Sequence, residues 1–268
     1  YSLDEFYPIE WTEQQSRILR VKEDLLDKID IKPENIHLID GTTPLAEVSA
    51  YCAEYERMAR NLDLMVIGMG EQGQIGFNEA GSYAKSVTRM VQLSHQSRKM
   101  QASNFYGSEN TPRMAITMGL STVMSAKRII LMAWGEDKAE VIHKVVEGEP
   151  TRLIPASLLQ NHAAIEAVVD APAAEMLTVK KAPWLVGPCD WTPRMVRKAV
   201  VWLGEMVKKP ILKLTYNDYL ENSLGELLEA VDASYDKVNI KVFNDLQHTI
   251  TGWPGGKPNA DDSTRPVP

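Results

Sequence analysis

The chain has 268 residues, 44% of them hydrophobic and 24% charged, with a formal net charge of −7. That is enough for one large core, or for one domain with a small appendage, and the acidic balance disfavours a nucleic-acid or acidic-membrane partner. No apolar run reaches membrane-spanning length, and nothing at the start reads as a signal peptide.

In chain order, residues 1–6 read as the end of a strand running into a site. Thr12 is expected to cap a helix over 13–29, with Ile18, Val21, Leu25 and Leu26 on one face. Residues 36–39 form a short strand, and Gly41-Thr42-Thr43-Pro44 opens a helix that carries Val48, Tyr51, Cys52 and Tyr55 at helical spacing. Further strands are expected at 64–67, 88–93, 128–133 and 164–169, with 115–118 leading into a turn at Gly119 and a helix over 137–147. Strand, helix and strand at this pace predict right-handed crossovers and a Rossmann-like α/β fold, a parallel sheet with helices on both faces.

After Thr178 the composition changes to a Trp- and Pro-rich connector, Pro183-Trp184 and Pro188-Cys189-Asp190-Trp191-Thr192-Pro193. Thr192 then caps a helix over 193–207, and a second helix spans about 217–230. The expected organisation is an α/β domain over 1–180, a helical extension over 181–250 and a linker over 251–268. Cys52 and Cys189 fit no metal or disulfide framework, so a reducing cytoplasm is expected. His37, His95, His143 and His162 are scattered and share no metal-ligand spacing, so neither a metal nor a cofactor is expected.

The chain is organised around LMVIGMGEQGQIGFNEAGS, residues 64–82. Gly68-Met69-Gly70-Glu71-Gln72-Gly73 formally spells the dinucleotide fingerprint. That reading needs a helix at once and an acid about 20 residues on, and the sequence supplies neither. A sugar-phosphate site at the C-terminal edge of a parallel sheet fits better, against the plainer reading of a glycine-rich connection without chemistry.

Gly68-x-Gly70-x-x-Gly73-x-Ile75-x-Phe77-Asn78-Glu79 resembles the signature loop of the glucosamine-6-phosphate deaminase (isomerase) family. Leu3-Asp4-Glu5-Phe6, Ile31 to Ile36, Ala115 to Gly119 and Gly135 to Ala139 agree in the same order, so the resemblance covers about 2–178. It implies that about a quarter of the family fold precedes Tyr1, with a Ser/Thr-Gly phosphate loop not found here. The whole resembles bacterial proteins in which a deaminase-like domain precedes a deacetylase-like one, so a fused downstream domain is expected, and a homo-oligomer stays open.

The implied chemistry is aldose–ketose isomerisation of an amino-sugar phosphate with loss of ammonia. It needs a base between C2 and C1, an acid/base for ring opening, donors for an oxyanion and cations for the phosphate. Asp4 fits the base and Glu79 the ring-opening or orienting carboxylate. The amides of Gly68, Gly70, Gln72 and Gly73 could meet substrate oxygens, and Lys138 the phosphate. Glu5 reads as structural. The chain departs from the family at two positions, where Gln72 and Gln74 replace an aspartate and the ring-opening histidine. A glutamine donates and accepts hydrogen bonds but cannot shuttle a proton at neutral pH. A phosphate-binding arginine expected near Ser103-Asn104 is missing as well. Three functions follow: a weakened deaminase, a degenerate sugar-phosphate-binding module that regulates a fused enzyme, and a lactonase-type hydrolase, against which Gln74 counts.

Overall fold

The short apolar runs assemble into two separate three-stranded sheets in the computed structural model, which describes residues 1–252 and side chains through 248. Strands β1 (Asp4–Tyr7) and β2 (Met65–Gly68) belong to different sheets. Strand β2 joins β5 (Ile129–Ala133) and β6 (Ile165–Val169) in a parallel sheet of order β2-β5-β6. This is the parallel sheet that strand–helix alternation predicts. Its inward residues Met65, Ile67, Ile129 and Leu131 share one core with α2 (Val48–Met58) and α5 (Ala139–Val146). A second sheet is antiparallel, with β4 (Met114–Thr117) between β1 and β3 (Arg89–Gln92). Asp4 is therefore the first residue of an antiparallel strand, not the last of a parallel one. All four residues of β1 are buried, so no alternation announces its direction.

Three expectations are corrected, two of them by side-chain chemistry. Residues 36–39 are extended but form no strand, because hydroxyl groups take their backbone groups. Ser2 Oγ accepts from the Ile39 amide at 2.8 Å, and Tyr51 and Tyr55 donate to the carbonyls of Leu38 and His37 at 3.2 and 3.1 Å. Helix α1 (Arg17–Asp24) is capped by Ser16 rather than Thr12, and it ends in a 3-10 turn, Leu26–Lys28. The helix expected from residue 137 begins as a 3-10 turn, Glu136–Lys138, before α5. Two shorter helices, α3 (His95–Gln101) and α4 (Leu120–Met124), complete this part with the antiparallel sheet.

The chain divides between Leu177 and Thr178 into two compact units. The second unit is helical: α6 (Thr178–Lys181), α7 (Pro193–Val207), α8 (Tyr216–Glu221), α9 (Gly225–Ala230) and α10 (Tyr235–Gly252). Thr192 caps α7 through the Met195 amide at 3.3 Å. The single helix expected over 217–230 is broken, since Ser223 takes a left-handed φ of 61°. Helix α10 runs through the start of the expected linker, the rest of which lies outside the described residues. Leu203, Tyr219, Leu224 and Leu227 are fully buried in this unit's own core. Asp218 there accepts from Thr215 and is held by Lys209 at 2.7 Å.

Candidate active site

The site is built from Glu5 outward. Glu5 is 1% exposed, and its carboxylate accepts from the Ser16 hydroxyl at 2.6 Å and the amides of Arg17 and Ile18 at 3.2 and 3.0 Å. The first N–H groups of a helix lack intrahelical partners, and an acid beside them also meets the positive helix end. Ser16 Oγ takes the Ile18 and Leu19 amides at 3.1 and 3.3 Å. The start of α1 is thereby pinned to β1, and Arg17 stands beside Asp4.

Arg17 Nη1 lies 3.3 Å from Asp4 Oδ1. Its guanidinium sits over Phe77 at 4.5 Å and Phe6 at 5.4 Å, cation–π contacts that fix its plane. Asp4 is buried, at 5% exposure. Asp4 Oδ2 and Arg17 Nε are both buried without a hydrogen-bond partner among the described residues. Burial raises the Asp4 carboxyl above the ordinary aspartate range; Arg17 pulls it back in part, and Glu5 adds to the rise.

The signature loop meets this pair from the other side. Gly76 has φ +55°, and a Cβ there would fall 2.7 Å from Asp4 Oδ2 and 2.8 Å from Thr117 Oγ1. Only a residue without a side chain lets the loop approach Asp4 this closely. Asn78 is fully buried and holds the loop down. Its Nδ2 donates to the carbonyls of Ile75 and Met118 at 2.9 and 2.8 Å, and its Oδ1 accepts from Arg89 at 3.0 Å. Phe77 supplies the ring under Arg17 and donates its amide to Thr117 Oγ1 at 3.3 Å. Much of the motif is thus scaffold.

The loop's own amides are not an open cradle. Gly70 donates to the Gln74 carbonyl at 3.0 Å, Gly73 to the Gly70 carbonyl at 2.9 Å, and Gln72 to Gln74 Oε1 at 3.0 Å. The Gln74 side chain folds back over Gly70, where any Cβ would collide with it at 2.2 Å. Gly68, at the end of β2, faces open space. Glu79 is half-buried and accepts from the Ser94 amide at 3.1 Å, at the capping residue of α3. Lys138 is paired with Asp137 instead of standing free for a phosphate.

Two cavities open onto these groups. One, of about 790 Å³, is lined by Asp4, Arg17, Gly68, Gln101 and Asn104, among others. The other, of about 30 Å³, is lined by Arg17, Gln74, Gly76 and Glu79, with Gln101. Asp4 and Glu79, 75 positions apart in sequence, are linked through Gly76 and Arg17. Lys138 lines neither cavity. Arg17 and Gly76 were missed as site residues from sequence. The available signal for Arg17 was Ser16 directly ahead of the amphipathic run, a better cap position than Thr12. Among the described residues no group of three or more His, Cys, Asp or Glu is placed to hold a metal, and no helix is long and apolar enough to cross a membrane.

Comparison with known proteins places the chain in a family. The family described as glucosamine-6-phosphate isomerases/6-phosphogluconolactonase matches residues 3–169. A glucosamine-6-phosphate deaminase-like protein of Bacteroides thetaiotaomicron is 47% identical over 270 residues, covering 99% of this chain but only 40% of the relative's own length. Glucosamine-6-phosphate deaminase 2 of Bacillus subtilis is 38% identical over 183 residues, 66% of this chain and 72% of that one. The solved structure of a monomeric glucosamine-6-phosphate deaminase superposes with a TM-score of 0.62 at 33% identity, covering 65% of this chain and 73% of that one. The chain therefore belongs to the glucosamine-6-phosphate isomerase/6-phosphogluconolactonase family.

Proposed function

We propose that the chain is a glucosamine-6-phosphate deaminase-like isomerase, acting on an amino-sugar phosphate through a site centred on Asp4. The observation that carries this is the approach of the signature loop to Asp4: a glycine with positive φ brings the loop within contact of a buried, partly unpartnered carboxylate. A carboxyl raised by burial is suited to take a proton from carbon. Glu79, fixed at the start of α3, is proposed to orient the substrate. Gly68, Gly70, Gln72 and Gly73 are proposed to shape the loop around it, and Lys138 to reach the phosphate only by leaving Asp137. Free Cys52 and Cys189 fit a reducing cytoplasm, and the reaction fits amino-sugar catabolism.

Gln74 decides between this and a second reading. Its carboxamide is folded onto the Gln72 amide and cannot move a proton between ring oxygen and anomeric hydroxyl. Turnover on the cyclic sugar should therefore lie below the family norm by about 10²–10⁴-fold, the usual worth of general acid–base catalysis. A coupled assay of ammonia release from glucosamine 6-phosphate tests this. Gln74→His together with Gln72→Asp should raise the rate on the ring form. It should leave unchanged the rate on an analogue lacking the ring-closing hydroxyls. Normal turnover in the unmodified chain would show that another group opens the ring. Tight sugar-phosphate binding with no ammonia from either substrate would favour a binding and regulatory module.

A further inference from the structure

We propose that Arg17 is a catalytic residue of this site, its guanidinium holding the oxyanion that forms on the substrate's carbonyl oxygen as Asp4 removes the neighbouring proton. The inference rests on the function proposed above and extends it to a residue outside the signature motif.

Four observations carry it. Arg17 lies against the proposed base, 3.3 Å from Asp4 Oδ1, so a carbon whose proton reaches Asp4 has its adjacent oxygen within the guanidinium's range. It is the one cation, among the described residues, that lines both cavities. Its position is built rather than incidental, since Glu5 and Ser16 fix the backbone at residues 17 and 18 while the rings of Phe77 and Phe6 fix the guanidinium. Finally, the amides of Gly70, Gln72 and Gly73 are engaged within the loop and are not free to meet developing negative charge.

The chemistry balances. The Asp4 carboxylate takes the C2 proton. The C–H electron pair becomes the C1–C2 double bond, and the carbonyl pair moves onto O1, where the N–H groups of Arg17 receive it. O1 then takes a proton from solvent, and Asp4 returns its own proton to C1 as the nitrogen lone pair closes an iminium at C2. Water hydrolyses that iminium to a ketone and ammonium. Arginine stays protonated throughout and presents a fixed fork of donors, so it polarises without exchanging protons. Donors placed where charge develops are worth on the order of 10²–10³ in rate each.

The test compares two ligands on the full chain. One is the hydroxamate of 5-phosphoarabinonic acid, which carries an enediolate-like oxygen. The other is 2-amino-2-deoxyglucitol 6-phosphate, which carries only a neutral hydroxyl there. Arg17→Gln should weaken the hydroxamate by about 10²-fold and leave the glucitol within about threefold, with kcat falling while KM holds. Melting curves check folding, and Arg17→Met serves if Arg17→Gln does not fold. Equal loss for both ligands would assign Arg17 to the phosphate and overturn the proposal, as would unchanged discrimination. If the unmodified chain releases ammonia but shows no preference for the hydroxamate, this inference fails alone. If it binds neither ligand, the proposed function falls with it.

Discussion

Asp4 and Asp218 are both buried aspartates with a cation beside them, and their surroundings do opposite things. Asp218 accepts from the Thr215 amide and hydroxyl at 2.8 Å each and from Lys209 at 2.7 and 2.9 Å. The Lys209 bond, with those from Thr215, holds its carboxyl below the ordinary range. Asp4 has one cation at 3.3 Å and an oxygen with no partner among the described residues, and burial raises it. The first arrangement is a clamp: both carboxylate oxygens are partnered and the charge is stabilised. The second leaves a carboxylate short of partners in a cavity wall, with affinity for a proton to spare. Incomplete satisfaction is costly in a core, and at Asp4 it falls where the loop, α1 and the antiparallel sheet meet.

The contrast sharpens first at Asp4. Asp4→Asn should lower ammonia release by about 10²–10⁴-fold without lowering the melting temperature, because a group whose folded pKa is raised favours its neutral form on folding. A melting temperature that falls with activity would make Asp4 a clamp like Asp218. Gly76→Ala comes next. It forces φ +55° on a residue with a Cβ 2.7 Å from Asp4 Oδ2, at a cost of about 1–3 kcal/mol in denaturant unfolding, and it should slow turnover as well. Full stability and rate would mean that the loop stands off from Asp4 in solution. The smallest effect belongs to Asp218. Its depressed folded pKa gives stability that is present above the unfolded value of about 3.9 and is lost as pH falls through the folded value. Thermal melts of Asp218→Asn should lie below those of the parent by about 4–8 °C at pH 7, with the gap closing in acid. A gap that does not narrow as the pH is lowered from 7 into acid would break the comparison from that side.

The parallel sheet was legible because β2, β5 and β6 are apolar runs separated by helical periods. The antiparallel pairing was not, since β1 is buried throughout and no alternation announces its direction. Helix α7 was read with its cap because Thr192-Pro193 states both signals at once. Of the site, the loop and Asp4 were visible as residue types in a spacing. Arg17 was not, because its importance comes from Glu5 reaching across 12 positions to the start of α1. Nor did the spacing show that Gln74 closes the loop on itself, which depends on one side chain's rotamer.

Glu5 grips the amides at positions 17 and 18 and the hydroxyl of Ser16, but not the side chain of residue 17. The anchor is therefore indifferent to what that side chain is. Position 17 behaves as a socket: the fold fixes its backbone against the base, whatever side chain it carries. A substitution at position 17 would therefore change the group held beside Asp4 while the link between β1 and α1 stays in place.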